Sequence, residues 1–448
     1  MKATSLLGVL LDFLESLDGD HPAPADVRLS RFFRERRFLG SKDRRFVGDG
    51  AYAFLRHDLR GQARWRAWCQ RTELSPREEG RTLHIGSLLA IAQDGLFPWE
   101  ATELAETSST YAAAVGGGWT EVLERIRIGK FLEEDDWPAD PLERLAAELS
   151  LPVWLARRLV DERGEEEARL LGEALLLPAP VDLRVNVSRI EREVVRSDLE
   201  SAHGAEVSFT PLSPHGLRIH GRINFRQFLS KNPGWAELQD EGSQIAAIVS
   251  GVRPGDTVID ACAGGGGKTL ALSDIAGGQG RFHVCDIDVS KLDRLLRRAE
   301  PAGLKSLTPH QISPDGDLPS SLPSKADLVV CDVPCSGMGS LRRNPDLKTR
   351  YGEDDIAEFA EAQAGILERF SSRVRPGGRL VYITCSLLAQ ENEDVVEAFA
   401  AAHPEYRLAA PVLPEGFPEA SRVGKYLRLD PISSGTDGFF VACFDRVE

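Results

Sequence analysis

Apolar residues in the first 176 positions recur mainly at helical spacing, as where Leu6, Leu10, Phe13, Leu14 and Leu17 share one face around Asp12 and Glu15. Candidate helix breaks fall at Gly19–Pro24, Ser75–Pro76, Gly116–Gly118 and Pro138–Pro141, and no run there has the period of two that marks a half-buried strand. The pattern changes after Pro178-Ala-Pro180. Val181-Asp-Leu-Arg-Val-Asn-Val187 alternates, a helical pattern starts at Ile190, and short apolar runs follow at Val207–Phe209 and Leu217–Ile219, predicting a small α/β module over 177–240. From 241, apolar runs at Thr257–Cys262, Phe282–Asp286, Asp327–Asp332 and Arg379–Thr384, with a weaker one at Leu307–Ile312, alternate with helical patterns. Such alternation predicts a parallel, doubly wound sheet, which binds ligands at the carboxyl ends of its strands. The expected organisation is an all-α domain over 1–145, a helical linker with the α/β module over 146–240, and a Rossmann-like α/β domain over 241–448.

Length and composition fit this division. A chain of 448 residues suits two or three domains, and 42% hydrophobic with 27% charged residues is the composition of a folded globular protein. Fifty-four Lys and Arg against 69 Asp and Glu leave a net charge of −15, so contact with a polyanion requires a local basic patch. Residues 31–66 supply one, with eleven Lys or Arg against four acids. Seven unevenly spaced cysteines do not form the even framework of a small secreted domain, and no zinc-ligand spacing occurs. The expectations are a cytoplasmic, reducing compartment, a monomer, no membrane and no metal.

The chemistry-bearing motifs sit where the predicted strands end. Asp260-Ala-Cys262-Ala263-Gly264-Gly265-Gly266-Gly267-Lys268-Thr269 follows the first strand of the last domain and opens a helix. Its glycines allow close backbone approach to a ligand, and the helix start offers free N–H groups. Gly267-Lys268-Thr269 also fits the end of a P-loop, but Cys262 stands where that motif needs its first glycine, so a P-loop-like nucleotide-binding enzyme is the alternative reading. Asp286 ends the next strand 18 residues after Lys268, where an acid hydrogen-bonds a ribose diol. Asp288 fits a helix cap, and Asp315-Gly316 reads either as a turn or as a contact to the adenine end of the same ligand. Asp332-Val-Pro-Cys335-Ser and Thr384-Cys385-Ser386 then bring two cysteines, each followed by serine, to the ends of neighbouring strands.

Together these motifs resemble the RsmB/Nop2/Sun family of S-adenosylmethionine-dependent RNA cytosine-5 methyltransferases. The resemblance covers roughly 177–448 and includes Gln239-Asp-Glu-Gly-Ser-Gln244, Glu391-Asn-Glu393 and Asp437-Gly-Phe-Phe440. Residues 1–145, with Arg37-Phe-Leu-Gly-Ser-Lys-Asp-Arg-Arg45, resemble the NusB-like RNA-binding extension of bacterial 16S rRNA members. The resemblance implies a class I methyltransferase fold, with S-adenosylmethionine held by Cys262, Ala263, Gly264, Gly265, Gly266, Gly267, Lys268, Asp286, Asp315 and Asp332. It implies RNA, 16S rRNA in particular, as substrate. Cys385 is then the nucleophile toward cytosine C6, Asp332 supports the base at N3, Cys335 assists C5 proton loss and release, and Lys268 holds Asp332 in place. Arg342, Arg343 and Lys348, close behind Cys335 in sequence, are expected to touch the RNA. Two departures stand out: Gly264 and Gly265 replace the Ala and Pro of the usual Ala-Ala-Pro-Gly-Gly-Lys loop, and Thr349 stands where Trp often follows the lysine. A catalytically inert RNA-binding ribosome assembly factor is the non-enzymatic alternative, disfavoured by the intact Cys385, Cys335 and Asp332.

Overall fold

The structure, a computed structural model, describes residues 1–19, 23–72, 80–108, 119–129, 131–221, 223–314, 316–414, 417 and 422–447. The predicted breaks at Ser75–Pro76 and Gly116–Gly118, and the candidate Asp315, lie outside the described residues. Two compact units emerge, one of residues 1–177 with 341–353 and the other of residues 178–340 with 354–448.

The first unit is all-helical among its described residues, running from Ala3–Leu17 through Ser41–Arg71 to Glu165–Leu175. On Ala3–Leu17 the buried residues are Leu7, Val9, Leu10, Leu11, Phe13 and Leu14, with Leu17 packed against them, so the core face includes Leu10, Phe13, Leu14 and Leu17 of the predicted one and is wider than predicted. The long helix Ser41–Arg71 supplies Trp65 and Trp68, whose stacked rings pack on Phe131. Part of the basic window is neutralised here: Arg60 and Arg64 both bind Asp94, at 2.8 and 2.6 Å.

Residues 341–353 belong to this unit although they directly follow the Asp332–Gly339 motif. Lys348 is buried, with its Nζ donating to the Arg56 carbonyl at 2.9 Å and Ser150 Oγ at 3.1 Å and paired with Asp58 at 3.0 Å. Arg56 in turn donates to the Arg342 carbonyl at 2.9 Å, and the Ala25 N–H donates to Asp346 at 3.2 Å. The expectation that Lys348 meets RNA is therefore corrected. Its donors are spent on the helical unit, and burial pushes its pKa down.

The second unit begins with strands β1 (Val181–Val185), β2 (Glu206–Phe209), β3 (Gly216–His220) and β4 (Ala236–Leu238), in the antiparallel order β2-β3-β1-β4. The alternation in β1 predicts one solvated face, yet Asp182 and Arg184 are buried as well. Arg184 donates to Gln239 at 2.7 Å and to Asp274 at 3.3 Å, and Asp274 also accepts the Val187 and Ser188 N–H groups. A buried charge of this kind requires such a partner set, so the polar face is covered by the domain that follows.

That domain is built on β5 (Thr257–Asp260), β6 (Arg281–Asp286), β7 (Leu307–Gln311), β8 (Ala326–Asp332), β9 (Val374–Thr384), β10 (Tyr406–Ala409), β11 (Arg422–Val423), β12 (Tyr426–Leu429) and β13 (Phe439–Arg446). The order β11-β12-β13-β9-β8-β5-β6-β7 has parallel pairings from β7 across to β9, while β13 is antiparallel to β9. Strand order reverses between β5 and β8, opening a crevice at their carboxyl ends. This is the Rossmann-like architecture the strand and helix pattern predicts. Among the described residues no helix is long and apolar enough to cross a membrane.

Candidate active site

The glycine loop turns the chain from β5 into the helix Gly267–Ile275. Gly264 and Gly266 have φ of +54° and +88°, and a Cβ on Gly266 would lie 2.4 Å from Leu295 Cγ, so this turn has room only for glycine. The Gly264 N–H donates to Asp286 Oδ2 at 2.9 Å, and the Asp288 N–H donates to Asp286 Oδ1 at 2.8 Å. Asp286 thus joins the loop to the end of β6, and Asp288 caps the next helix by accepting from the Ser290 N–H. Cys262 and Ala263 are packed against the apolar layers on either side of the sheet, and burial pushes the Cys262 thiol up.

Asp260 sits beneath this loop. Its Oδ2 accepts from Thr269 Oγ1 at 2.6 Å, while Oδ1 is buried and, among the described residues, makes no well-formed hydrogen bond beyond the nearby Cys262 backbone, and burial pushes the carboxyl up to about 7. A glycine cradle, the ribose-type carboxylate Asp286 and a buried carboxyl oxygen short of donors suit a nucleoside ligand carrying a polar or cationic tail.

Across the crevice, Lys268 reaches from the loop to Asp332 Oδ2 at 2.8 Å, with its Nζ 5.1 Å from the centre of the Phe439 ring. Burial would lower the pKa of Lys268, but the Asp332 charge and hydrogen bond outweigh it and raise it. Lys268 therefore serves as a fixed cation holding Asp332 rather than as a free phosphate ligand. That disposition speaks against the P-loop alternative.

The structure brings the two cysteines together: Cys335 Sγ and Cys385 Sγ are 3.3 Å apart, and the Cys385 N–H points at Cys335 Sγ at 3.4 Å. The bond to Cys385, together with burial, pushes the Cys335 thiol well above its ordinary range, and either sulfur can be the donor in the contact between them. The terminal motif closes the arrangement from the side. The Gly339 N–H donates to the Cys385 carbonyl and the Gly438 N–H to the Gly339 carbonyl, both at 2.8 Å, and a Cβ on Gly339 would lie 2.4 Å from the Gly438 oxygen. Sequence reasoning assigned no role to Phe439, Gln363 or Tyr382, although Asp437-Gly-Phe-Phe440 was conspicuous as a motif. Among the described residues no group of three metal-ligating side chains is assembled.

Comparison with known proteins agrees with this geometry. Residues 247–445 match the family model described as 16S rRNA methyltransferase RsmB/F, and residues 151–226 match the ferredoxin-like domain of RsmF/B-like methyltransferases. The probable ribosomal RNA small subunit methyltransferase B of Bacillus subtilis is 32% identical over 347 residues, covering 76% of each chain. Among solved structures, that of PH0851 superposes with a TM-score of 0.75 at 25% identity, covering 100% of this chain and 99% of its own. That of NSun6 from Pyrococcus horikoshii with SFG has a TM-score of 0.57 at 20% identity, covering 66% of this chain and 98% of its own. With this extent of identity and coverage, the chain belongs to the RsmB/F family of ribosomal RNA methyltransferases.

Proposed function

We propose that the enzyme transfers a methyl group from S-adenosylmethionine to C5 of a cytosine in 16S rRNA, through a covalent bond between Cys385 and cytosine C6. The observation that carries this reading is the Cys335–Cys385 pair, 3.3 Å between sulfurs, with Cys335 following β8, which ends in the Lys268-held Asp332, and Cys385 following the neighbouring β9. Cytosine C5 is a weak nucleophile until a thiolate adds to C6. Cys385 supplies that thiolate, with the Cys335 S–H donating to its sulfur, and the Asp332 carboxyl meets N3 as electron density shifts onto the ring. The cofactor supplies the methyl group, and the glycine loop, Asp260 and Asp286 orient it. The C5 proton then passes to solvent water, its bonding pair re-forms the C5–C6 double bond as the C6–S bond breaks, and the neighbouring Cys335 S–H stabilises the departing Cys385 thiolate. The target base must be unpaired or flipped out, because C6 is otherwise covered by its stacking neighbours.

The helical domain is read as the part that docks RNA. Arg34, Arg37, Lys42 and Arg45 are exposed and hold no ion pair with a described residue, and they surround the turn that carries Phe38, 68% exposed. Unpaired cations beside an exposed ring suit single-stranded RNA. The test is incubation with labelled S-adenosylmethionine and 16S rRNA lacking the modification, followed by nuclease digestion. The expected product is 5-methylcytidine, and label in any other nucleoside would overturn the C5 reading.

A further inference from the structure

Behind the two sulfurs lies a buried carboxylate. Glu391 follows β9 in a short helical turn, and its side chain is closed off from solvent. Its Oε1 accepts the Ser336 N–H at 2.8 Å and Gln363 Nε2 at 3.0 Å, while Oε2 accepts both the Ser336 and the Ser386 hydroxyls. Ser336 is the residue after Cys335, and Ser386 is the residue after Cys385. One carboxylate therefore bonds to both cysteine-bearing loops, which leave different strands 50 residues apart.

The surroundings hold this carboxylate in turn. Gln363 also donates to the Pro334 carbonyl at 3.1 Å, and the Tyr382 hydroxyl donates to the Glu391 carbonyl at 2.6 Å. Among the described residues no cation is paired with Glu391, so four hydrogen bonds alone compensate its burial. Removing water from a carboxylate is costly, and an apolar residue would pack these loops without that cost. Acceptance of three donors from the two loops and a fourth from Gln363 on the helix Glu353–Ser371 is what an apolar residue could not provide.

We propose that Glu391 is a positioning residue that sets the distance and direction between the Cys335 and Cys385 sulfurs. The proposal rests on the two-cysteine reaction described above. The Cys335 S–H must point at Cys385 Sγ when the C6–S bond breaks, and a displacement of about 1 Å at such a contact can cost about a hundredfold in rate. Aspartate at 391, one methylene shorter, cannot span both loops. Glutamine keeps the length but presents N–H groups where two donors converge, so it should act as a partial replacement.

The test compares Glu391→Asp, Glu391→Gln and Ser386→Ala with wild type in the full chain. Single-turnover methyl transfer should fall roughly tenfold to a hundredfold in Glu391→Asp and less in Glu391→Gln, with dissociation constants for cofactor and RNA within about threefold of wild type. Ser386→Ala should cost less in Glu391→Asp than in wild type, because both changes break the same link. A readout free of RNA separates this proposal from the reaction on which it rests: diamide should form the Cys335–Cys385 disulfide about tenfold more slowly in Glu391→Asp, as scored by peptide mapping. Wild-type rates of both disulfide formation and methyl transfer in Glu391→Asp would overturn the positioning role. Slower disulfide formation in an enzyme that forms no 5-methylcytidine would instead sink the reaction and keep the clamp. If Glu391→Asp fails to fold, Ser386→Ala alone carries the same two readouts.

Discussion

Asp260 and Lys268 lie at opposite ends of the same charge arrangement, and burial acts on them with different results. Lys268 has a full ionic partner in Asp332 and stays charged, whereas burial of Asp260 outweighs its Thr269 hydroxyl and Cys262 backbone contacts, and its carboxyl rises from 3.8 to about 7. A folded-state carboxyl that is harder to ionise than the unfolded one gives stability that is complete below the ordinary carboxylate range and is lost as pH rises through about 7. Asp260→Asn removes that dependence. The melting temperature of the ligand-free wild type, taken relative to Asp260→Asn, should fall steadily between about pH 4 and 7 and level off above. A difference independent of pH would show that Asp260 ionises normally. Both residues could be found in the sequence as the ends of one strand-to-helix motif. The Lys268–Asp332 pairing is expected from the family resemblance, and the two residues meet at 2.8 Å.

At the scale of elements, the glycine loop makes a sharper prediction than its composition suggests. Of its four glycines, only Gly264 and Gly266 have left-handed φ, and only Gly266 also abuts a side chain, that of Leu295. Gly266→Ala should therefore destabilise the protein by about 1–3 kcal/mol and weaken cofactor binding. Gly265→Ala, whose nearest neighbour would be 3.4 Å away at Arg298, should be close to neutral in both. Chemical denaturation and calorimetry on the two variants decide this, and equal losses would contradict the account. The same local reasoning explains what was legible in the fold. β5, β6, β8 and β9 were found because buried parallel strands read as short apolar runs. The antiparallel β10 to β13 were not, although Phe439-Phe-Val-Ala-Cys-Phe444 is just such a run, because it lies inside a motif read for chemistry rather than for pairing. β1 was found but its polar face was misread as solvated, since the partners of Arg184, Gln239 and Asp274, stand 55 and 90 residues away.

For the molecule as a whole, a net charge of −15 means that RNA affinity depends on where cations are left unpaired. Composition showed the basic window, but only the structure separates Arg60 and Arg64, spent on Asp94, from the exposed Arg34, Arg37, Lys42 and Arg45. Changing those four to glutamine should lower RNA affinity and flatten the slope of log affinity against log salt by up to about 0.7 per lost phosphate contact, leaving cofactor affinity unchanged. An unchanged slope would move RNA docking away from this face. The central claim, that two neighbouring cysteines divide attack and release between them, is tested most directly by a denaturing gel. Labelled RNA and cofactor are incubated with Cys385→Ala, Cys335→Ala and the double variant. Cys335→Ala should accumulate a protein–RNA adduct that resists denaturation, because the donor that stabilises the departing Cys385 thiolate is gone, while Cys385→Ala and the double variant should form neither adduct nor 5-methylcytidine. An adduct formed by Cys385→Ala and lost in the double variant would contradict the assignment and make Cys335 the nucleophile.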